Sequence, residues 1–403
     1  LRAVSYNVLA DPYATTDFCR NVLYPYVAPH ALALDYRMAL AGRELLSTHA
    51  DLLLLQECDL KAFHKLLGPQ LERNGFQGLH KSKCGQADEG CATFFKRSRF
   101  TLESVHDINL KDEYEKLPEL APLLAAVPAV RDLIREKITT IAQITVLRPT
   151  AQEEEGDVPC SSLQRRLIAA NTHLFFHPDA SCIRLLQGYV ILRHLERLKG
   201  DLAAQGLQVS VVLAGDLNSS TRGALYQLLA TGAVLPGAHV WSKLQDFRWG
   251  KRGEFWETED KEHEGAEVVD RCSTVTDDEA SKREVNSSKD ASLIKKGSSN
   301  DNATSPFTET AVPPEEKVEV PPGAVPALRH ALGLLDACPG NAFTNCSSTF
   351  VDTLDYLFVD TATLEVVRPF PMPTLEEARA HTALPSVEFP SDHVSIGAEL
   401  RFR

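Results

Sequence analysis

The sequence lacks the features that mark several large classes of protein. None of its 403 residues lie in an apolar run that approaches the roughly 18 residues of a membrane-spanning helix, and no segment repeats at the period of a solenoid. Its nine cysteines are odd in number and include no CxxC pair. A disulfide framework or a zinc cluster is therefore not expected, and a reducing compartment is favoured. These absences leave a soluble globular protein as the default class.

The acidic residues are unevenly distributed. The formal net charge is −13, but residues 246–322 hold 19 Asp/Glu against 11 Lys/Arg, which leaves 36 against 31 elsewhere. That segment is polar, rich in Ser and Asn, and nearly devoid of large apolar residues, so it cannot bury enough surface to offset the entropy of ordering. We predict an acidic disordered insertion at 246–322, with a segment that docks an unknown partner as the alternative. Residues 1–245 and 323–403 are predicted to form one domain.

The start of the chain is unusual. Leu1 enters a predicted strand almost at once, without Met and without a leader. This start is typical of an excised domain, so we expect any targeting segment to lie outside the sequence.

The stretch from Val211 to Ser219, which reads VVLAGDLNS, has the clearest pattern in the chain. Its apolar run is typical of a strand that is buried on both faces. Asp216 and Asn218 follow, and residues two apart in extended chain point to the same side, so a carboxylate and an amide oxygen converge past the strand end. Such hard oxygen ligands suit Mg²⁺ or Mn²⁺ better than zinc. For this stretch alone, a strand that ends in a polar turn is the simpler alternative.

Other apolar strands carry polar residues of matching chemistry near their ends. These strands are predicted at 4–10, 51–57, 167–174 and 354–360, and a Ser-Asp-His motif opens the last apolar run. The polar residues that they contribute are Asn7, Glu57, Asn171, His173, Asp355, Asp392 and His393. One such residue would be an accident of packing, whereas the set indicates a single metal-assisted phosphoester site.

Four of these residues have individual chemical roles to weigh. Glu57 follows four leucines, and an ionised carboxylate there needs a partner, for which Mg²⁺ or an arginine would serve. Asp355 and His393 are a natural acid–base pair, because the carboxylate can hold one ring nitrogen while the other accepts a proton from water. His173 is placed to donate to a phosphate oxygen, although a structural role explains a single histidine equally well.

Helical and strand patterns alternate along the chain, with hairpins between them. The predicted helices are 31–49, 61–73, 182–202 and 222–230, and the predicted hairpins join 91–96 to 102–106 and 138–147 to 165–176. This mixture favours mixed sheets with helices outside over a purely parallel sheet.

The order of these motifs resembles the endonuclease/exonuclease/phosphatase superfamily. The resemblance covers the chain apart from the insertion. It implies a four-layer α/β sandwich of the DNase I type, in which two mixed β-sheets pack together with helices outside. SYNVLAD (5–11), ALALDYR (31–37), NTHLFFHP (171–178) and IRLLQ (183–187) are similar to the deadenylase branch. EGCATFFKRSRF (89–100) and ALPSVEFPSDH (383–393) are similar to its 2′,5′-phosphodiesterases.

The resemblance implies an activity and a role for each site residue. The activity is Mg²⁺-dependent (or Mn²⁺-dependent) hydrolysis of 2′-5′ oligoadenylate and trimming of the poly(A) tails of mitochondrial transcripts. Apart from the resemblance, we expect a monomer that contacts no membrane. By position, Glu57 is similar to the metal ligand, Asp216 with Asn218 to a pair that binds metal or orients water, and Asp355 with His393 to the general-base dyad. Asn7, Asn171 and His173 match groups around the scissile phosphate, with Asp216 and His173 also among the candidate catalytic residues.

Two rival functions remain open at this stage. A nucleotide or inositol-phosphate phosphatase of the same fold would require a dense basic cluster, and none accompanies the motifs. A non-catalytic RNA-binding scaffold would be expected to lack one of Glu57, Asp216, Asp355 and His393, and all are present. The preference for 2′,5′ or 3′,5′ linkages, the number of metal ions and the compartment, mitochondrial matrix or cytoplasm, stay undecided.

Overall fold

Seventeen strands and eight α-helices make up the described part of the chain. The computed structural model describes residues 1–85, 87–150, 164–244, 320–321 and 323–403. In chain order the strands are β1 (Arg2–Asn7), β2 (Leu52–Asp59), β3 (Phe76–Ser82), β4 (Glu89–Lys96), β5 (Phe100–Val105), β6 (Ile108–Asn109), β7 (Ile141–Pro149), β8 (Arg165–His173), β9 (Gln208–Asp216), β10 (Ala233–Val234), β11 (Leu328–Arg329), β12 (Leu334–Asp336), β13 (Asn345–Cys346), β14 (Val351–Asp352), β15 (Asp355–Asp360), β16 (Leu364–Pro369) and β17 (Ile396–Phe402). The helices are α1 (Pro12–Thr15), α2 (Leu34–Ser47), α3 (Leu67–Arg73), α4 (Ala121–Ala126), α5 (Pro128–Lys137), α6 (Ser181–Ala203), α7 (Ala224–Thr231) and α8 (Leu375–Ala378).

Two mixed sheets form the centre of the fold. The first has the order β16-β17-β1-β2-β4-β3, and the second has the order β12-β15-β9-β8-β7-β5, with β6 also paired to β7. Each sheet contains one parallel pair, β1 with β2 and β8 with β9, and its other strands are antiparallel. A helix connects the members of each parallel pair, α2 in the first sheet and α6 in the second. The predicted pair of mixed sheets is confirmed.

The run of four leucines shows how the layers pack. Leu52 and Leu54 lie in the apolar core between the two sheets, whereas Leu53 and Leu55 pack against α2 and α3 on the outer face. All four are fully buried, and burial of each leucine side chain contributes about 1.5–3 kcal/mol. An alternation of inward and outward side chains therefore explains an uninterrupted apolar run.

The end of β2 departs from regular geometry. Its pairing with β4 shifts register between Leu55 and Cys58, and Glu57 has a left-handed backbone with φ 53°. Regular alternation would place Glu57 on the outer face with Leu53 and Leu55. A bulge redirects a side chain in this way, so the irregularity brings the carboxylate toward the space between the sheets.

Several predicted elements differ from the structure. The predicted hairpin between 91–96 and 102–106 is wrong, because β4 lies in the first sheet and β5 in the second. The alternation of apolar and polar residues is the same whether the next strand pairs within the same sheet or joins the other sheet, so it could not distinguish the two cases. The strand predicted at 4–10 ends at Asn7, and the helix predicted at 61–73 begins with a π-helical turn over Ala62–Leu66.

The other predicted elements agree well with the structure. The predicted helices 31–49, 182–202 and 222–230 correspond to α2, α6 and α7, and the hairpin of 138–147 with 165–176 corresponds to β7 and β8. The insertion predicted at 246–322 lies outside the described residues except for 320 and 321. Among the helices described, none is long and apolar enough to cross a membrane.

Candidate active site

The predicted site residues meet where the parallel strands of both sheets end. Asn7 is the last residue of β1, His173 of β8 and Asp216 of β9. Asp355 is the first residue of β15, which runs antiparallel to β9, so it pairs directly with Asp216. Residues two or four positions before a site residue share its face of the strand. Those residues include Ala3, Ala169 and Ala214, which lie in the core between the sheets. The same alternation therefore aims the site residues into the gap at the sheet edge.

Asn7 connects the two principal carboxylates. Its Nδ2 donates to Glu57 Oε1 at 2.8 Å and to Asp216 Oδ2 at 3.1 Å, which joins the first sheet to the second. The second oxygen of Glu57 accepts the backbone N–H of Ala10 at 2.9 Å. Because both protons of the Asn7 amide are used, this side chain sets the spacing of Glu57 and Asp216.

His173 lies between the same two carboxylates without a hydrogen bond to either. Its Nδ1 is 3.7 Å from Glu57 Oε1 and its Nε2 is 3.5 Å from Asp216 Oδ2. Burial lowers the pKa of His173 well below its usual value, and the positive charges of Lys83 and His393 lower it further. Nδ1 is buried and has no hydrogen-bond partner in the described part of the chain. His173 is therefore a neutral ring with a spare nitrogen.

His393 and Asp355 form the predicted pair. Their Nδ1 and Oδ2 atoms are 2.7 Å apart, and His393 Nε2 lies 3.6 Å from Asp216 Oδ2. Burial alone would lower the pKa of His393, but the carboxylates of Asp355 and Asp216 outweigh it and raise that pKa well above its usual value. Ser391 positions the ring, because its Oγ accepts the His393 N–H and donates to the Asn7 carbonyl.

The two other predicted amides have different surroundings. Asn218 has a left-handed backbone, its N–H donates to Asp216 Oδ1 at 2.9 Å, and its Nδ2 donates to the Leu174 carbonyl. Within the described residues its side-chain oxygen accepts no hydrogen bond, so it can serve as a ligand atom. Asn171 is fully buried and bonds across the sheets to Gln56 and to the carbonyl of Leu55. The predicted phosphate contact of Asn171 does not agree with this position, because every polar group that it reaches belongs to the protein interior.

Sequence reasoning missed a buried ion pair beside Glu57. Lys83 Nζ lies 2.5 Å from Glu89 Oε1, and their side chains are only 15% and 3% exposed. Tyr13 contacts both, through its hydroxyl to Glu89 and its ring to Lys83. No local signal identifies this cluster, although Glu89 is the first residue of β4.

Asp392, which precedes His393 in the Ser-Asp-His motif, accepts hydrogen bonds from two side chains. Its Oδ2 accepts from Tyr24 at 3.3 Å and from Asn345 at 3.2 Å. Its negative charge raises the pKa of Glu57 and of His393, so it belongs to the same electrostatic environment.

The donor set fits a divalent cation. Burial and the charges of Glu89 and Asp392 raise the pKa of Glu57 to about 7, and burial raises that of Asp216 to about 6 despite the opposing effect of His393. Buried carboxylates of this kind favour a cation that stabilises their ionised forms. Asp216, Asp355 and His393 also bring potential ligand atoms within 4.8 Å of one another. His393 and Asp355 are hydrogen-bonded to each other. Glu57 and Asp216, which Asn7 holds together, are therefore the better candidates for cation ligands.

Comparison with known proteins identifies the family. The Endonuclease/Exonuclease/phosphatase family matches residues 4–393, a range that includes every site residue described above. The chain belongs to this family. Its members are hydrolases that act on phosphoric ester bonds.

Two curated relatives and one solved structure show where the chain stands in the family. The 2′,5′-phosphodiesterase 12 of Mus musculus is 32% identical over 407 residues, which cover 100% of this chain and 52% of that protein. The CCR4-Not complex 3′-5′-exoribonuclease subunit Ccr4 of Candida albicans is 25% identical over 423 residues, 99% of this chain and 41% of that protein. The chain thus spans about half the length of the curated relatives that it matches. The crystal structure of ANGEL2, a 2′,3′-cyclic phosphatase, in complex with adenosine-2′,3′-vanadate, has a TM-score of 0.64 at 20% identity and covers 100% of this chain and 95% of that one. This likeness confirms the DNase I-like fold.

Proposed function

We propose that the chain is a Mg²⁺-dependent phosphodiesterase and 3′ exoribonuclease that hydrolyses 2′,5′-linked oligoadenylate and 3′,5′-linked poly(A) tails to release AMP. One observation carries the proposal. Glu57 and Asp216, joined through Asn7, lie beside the His393–Asp355 pair, so a cation site and a proton acceptor adjoin each other. The relatives named above, one acting on 2′,5′ linkages and one a 3′-5′ exoribonuclease, support the substrate class.

In this proposal Glu57, Asp216 and the side-chain oxygen of Asn218 would hold the cation, with Mn²⁺ as a substitute for Mg²⁺. When bound, the ion would polarise the phosphate and neutralise part of its charge. Asn7 keeps the two carboxylates at a fixed spacing, and neutral His173 would donate its Nδ1–H to a phosphate oxygen. Asn171 is reassigned from the phosphate to the connection between the sheets.

The remaining chemistry belongs to the His393–Asp355 pair. Asp355 holds Nδ1–H of the ring, which leaves Nε2 to accept a proton from the attacking water. The water oxygen forms a bond to phosphorus while the bond from phosphorus to the leaving ribose oxygen breaks, and that oxygen then takes a proton from solvent. Asp216, 3.6 Å from Nε2, stabilises the imidazolium that results and is the second candidate for the base.

Exposed aromatic side chains near the site favour a nucleic-acid substrate over a small phosphate ester. Phe350 is 47% exposed in the turn of the β13–β14 hairpin, and Asn345 of that hairpin bridges to His393. Phe176 is 43% exposed three residues beyond His173. Such faces can stack on bases at about 1–3 kcal/mol per base. A nucleotide or inositol-phosphate phosphatase remains the alternative function.

A substrate panel tests the proposal. The protein is incubated with 2′-5′ triadenylate, 3′-5′ oligo(A), oligo(U) and inositol phosphates, with and without Mg²⁺. We expect AMP from both adenylates only with the metal, and about a tenfold higher KM for Phe350→Ala because one stacking contact is lost. Leu335→Ala, at a similarly exposed residue of β12, serves as the control. Release of inorganic phosphate from the inositol phosphates alone would favour the alternative function.

The insertion is proposed to be dispensable for catalysis. β10 and β11 flank the segment and pair with each other, so Val234 and Leu328 lie side by side. Closing a long loop between such ends costs little more than closing a short one. We expect deletion of residues 250–320 to change kcat on 2′-5′ triadenylate by less than about twofold. The thermal midpoint should stay within about a few degrees of that of the full chain. Insoluble or inactive protein would show that the segment contributes to the domain.

The cysteines bear on the compartment in which the enzyme works. All seven cysteines in the described residues are free thiols, as expected in a reducing compartment. We propose a monomer located in the mitochondrial matrix, with the cytoplasm as the alternative. Fractionation of cells that express the full-length protein, followed by sizing of the purified material, tests both statements.

A further inference from the structure

Each crossover helix begins with a buried arginine. Arg37 is the fourth residue of α2 and Arg184 the fourth residue of α6, and their side chains are 0% and 5% exposed. A cation in the first turn faces the positive end of the helix dipole, which is unfavourable. Helix stability therefore does not explain either arginine, and their contacts must.

Arg37 holds the loop that follows β1. Its Nη1 donates to the carbonyls of Val8 at 3.1 Å and Leu9 at 2.6 Å, where the backbone of Leu9 is left-handed. The same Leu9–Ala10 peptide group donates its N–H to Glu57 Oε2. A single peptide unit thus connects the guanidinium to the carboxylate, and the positive charge on its carbonyl side strengthens the N–H as a donor.

Arg184 holds the equivalent loop after β8. Its Nη1 donates to the carbonyls of Phe175 and His177, and its Nη2 donates to that of Pro178. One helical turn further on, Gln187 accepts the N–H of Phe175 at 3.0 Å. The first turns of α6 therefore bind this loop from several directions.

The loop after β8 reaches the site through Leu174. The carbonyl of Leu174 accepts Asn218 Nδ2 at 2.9 Å, and its N–H donates to the Asp216 carbonyl. Any movement of the loop would therefore turn the Asn218 amide and the end of β9. The second sheet repeats the arrangement of the first, in which an arginine holds a loop and the loop holds a site residue.

The chemistry of the side chain explains why arginine occupies both positions. Several carbonyl oxygens converge on each one, and the flat guanidinium offers up to five donors, whereas the lysine ammonium is a compact point charge. Arg37 lies within electrostatic reach of Glu57, and Arg184 within reach of Asp216. Arg37 Nη2 makes no hydrogen bond within the described residues and lies 3.9 Å from Asp11 Oδ1. Arg184 Nε is buried without a hydrogen-bond partner among the same residues, a cost that packing alone would not retain.

We propose that Arg37 and Arg184 are a matched pair of positioning residues, one for each sheet, that fix the two strand-to-helix loops and thereby set the affinity of the Glu57–Asp216–Asn218 site for its divalent cation. The inference rests on the proposed function, because it takes that site to bind a cation.

Manganese binding tests the inference without relying on turnover. The signal of free Mn²⁺ in electron paramagnetic resonance titrations gives the affinity of the full chain and of Arg37→Lys and Arg184→Lys. Each variant keeps its positive charge but loses the flat guanidinium with its several donors. We therefore expect the affinity for Mn²⁺ to fall by about 10–100-fold, as for other groups that orient metal ligands. Arg43→Lys on α2 and Arg197→Lys on α6 are the controls, since both arginines are exposed on the same helices, and their affinity should not change.

The outcomes separate this inference from the proposed function. Unchanged Mn²⁺ affinity in folded Arg37→Lys and Arg184→Lys would overturn the inference alone, whereas a wild-type chain that binds no Mn²⁺ would overturn the proposed function and the inference with it. Should a lysine variant fail to fold, Gln187→Met decides, because it releases the Phe175 N–H and leaves both arginines in place. Weakened binding in that variant supports the inference, and unchanged binding contradicts it.

Discussion

His393→Gln is expected to lower kcat on 2′-5′ triadenylate by about 10²–10⁴ while metal and substrate still bind. The variant loses the nitrogen that accepts the proton from water. Asp355→Asn should be similarly damaging, because the amide can no longer stabilise the charged ring across the 2.7 Å contact. The double variant should be little worse than either single one, since the two residues act as a unit. Steady-state kinetics on the four proteins measure this, with His381→Gln on the exposed segment between α8 and β17 as the control.

The pH profile adds an independent readout. Asp355 and Asp216 outweigh burial and raise the pKa of His393, so the neutral ring becomes populated only above the usual value of about 6.5. The rate should therefore rise with pH through an inflection above that value, and this limb should disappear in His393→Gln. An unchanged limb in His393→Gln, or additive losses in the double variant, would identify Asp216 as the base instead.

Glu57→Gln is expected to reduce activity by about 10² or more, because it removes a charge that would hold the cation at the phosphate. The same substitution should stabilise the metal-free protein at high pH. Burial and the charges of Glu89 and Asp392 raise the pKa of Glu57 to about 7. The folded state therefore binds this proton more tightly than the unfolded state, and stability falls as pH rises from about 4.5 to 7. Above pH 7, Glu57→Gln should avoid this loss of roughly 1–3 kcal/mol.

Thermal unfolding with and without Mg²⁺ measures the effect on Glu57. The wild-type midpoint should rise with added Mg²⁺, because the ion binds only the folded state, and the midpoint of Glu57→Gln should not. Asp59→Asn is the matched control: Asp59 lies on the same strand, and burial raises its pKa to about 6. That variant should gain metal-free stability yet keep the response to Mg²⁺. Full activity in EDTA, or a response to Mg²⁺ in Glu57→Gln, would contradict the proposed metal site.

The pattern of residues predicted much of this architecture because most of the site depends on strand periodicity. Asn7, His173, Asp216 and Asp355 share the inward face of strands whose ends meet, and a period of two is visible in any sequence. Glu57 reaches the same place only through a bulge, and no residue near it announces a left-handed backbone.

Contacts that depend on how strands and helices pair could not be predicted in this way. Lys83 meets Glu89 because β3 and β4 pair, and Arg37 meets Val8 and Leu9 because α2 folds back on β1. Asn171 has the right chemistry for a phosphate contact. It lies two residues before His173 on the same face of β8, however, where it is fully buried between the two sheets. The predicted 91–96/102–106 hairpin is wrong for a similar reason, because tertiary packing determines which sheet each strand joins.

The order of strands in the first sheet has a consequence during synthesis of the chain. β1 pairs on one side with β2 and on the other with β17, so one edge of β1 must wait for residues almost four hundred positions later. The strands of the second sheet, β5 to β15, all emerge before β17, whereas β1 keeps one row of peptide groups unpaired until Ile396–Phe402 leaves the ribosome. An exposed edge of this kind is open to association with other chains, so the nascent protein should depend on chaperones until β17 has been synthesised. His393 lies three residues before β17, so the proposed proton acceptor would reach the site only when this strand does.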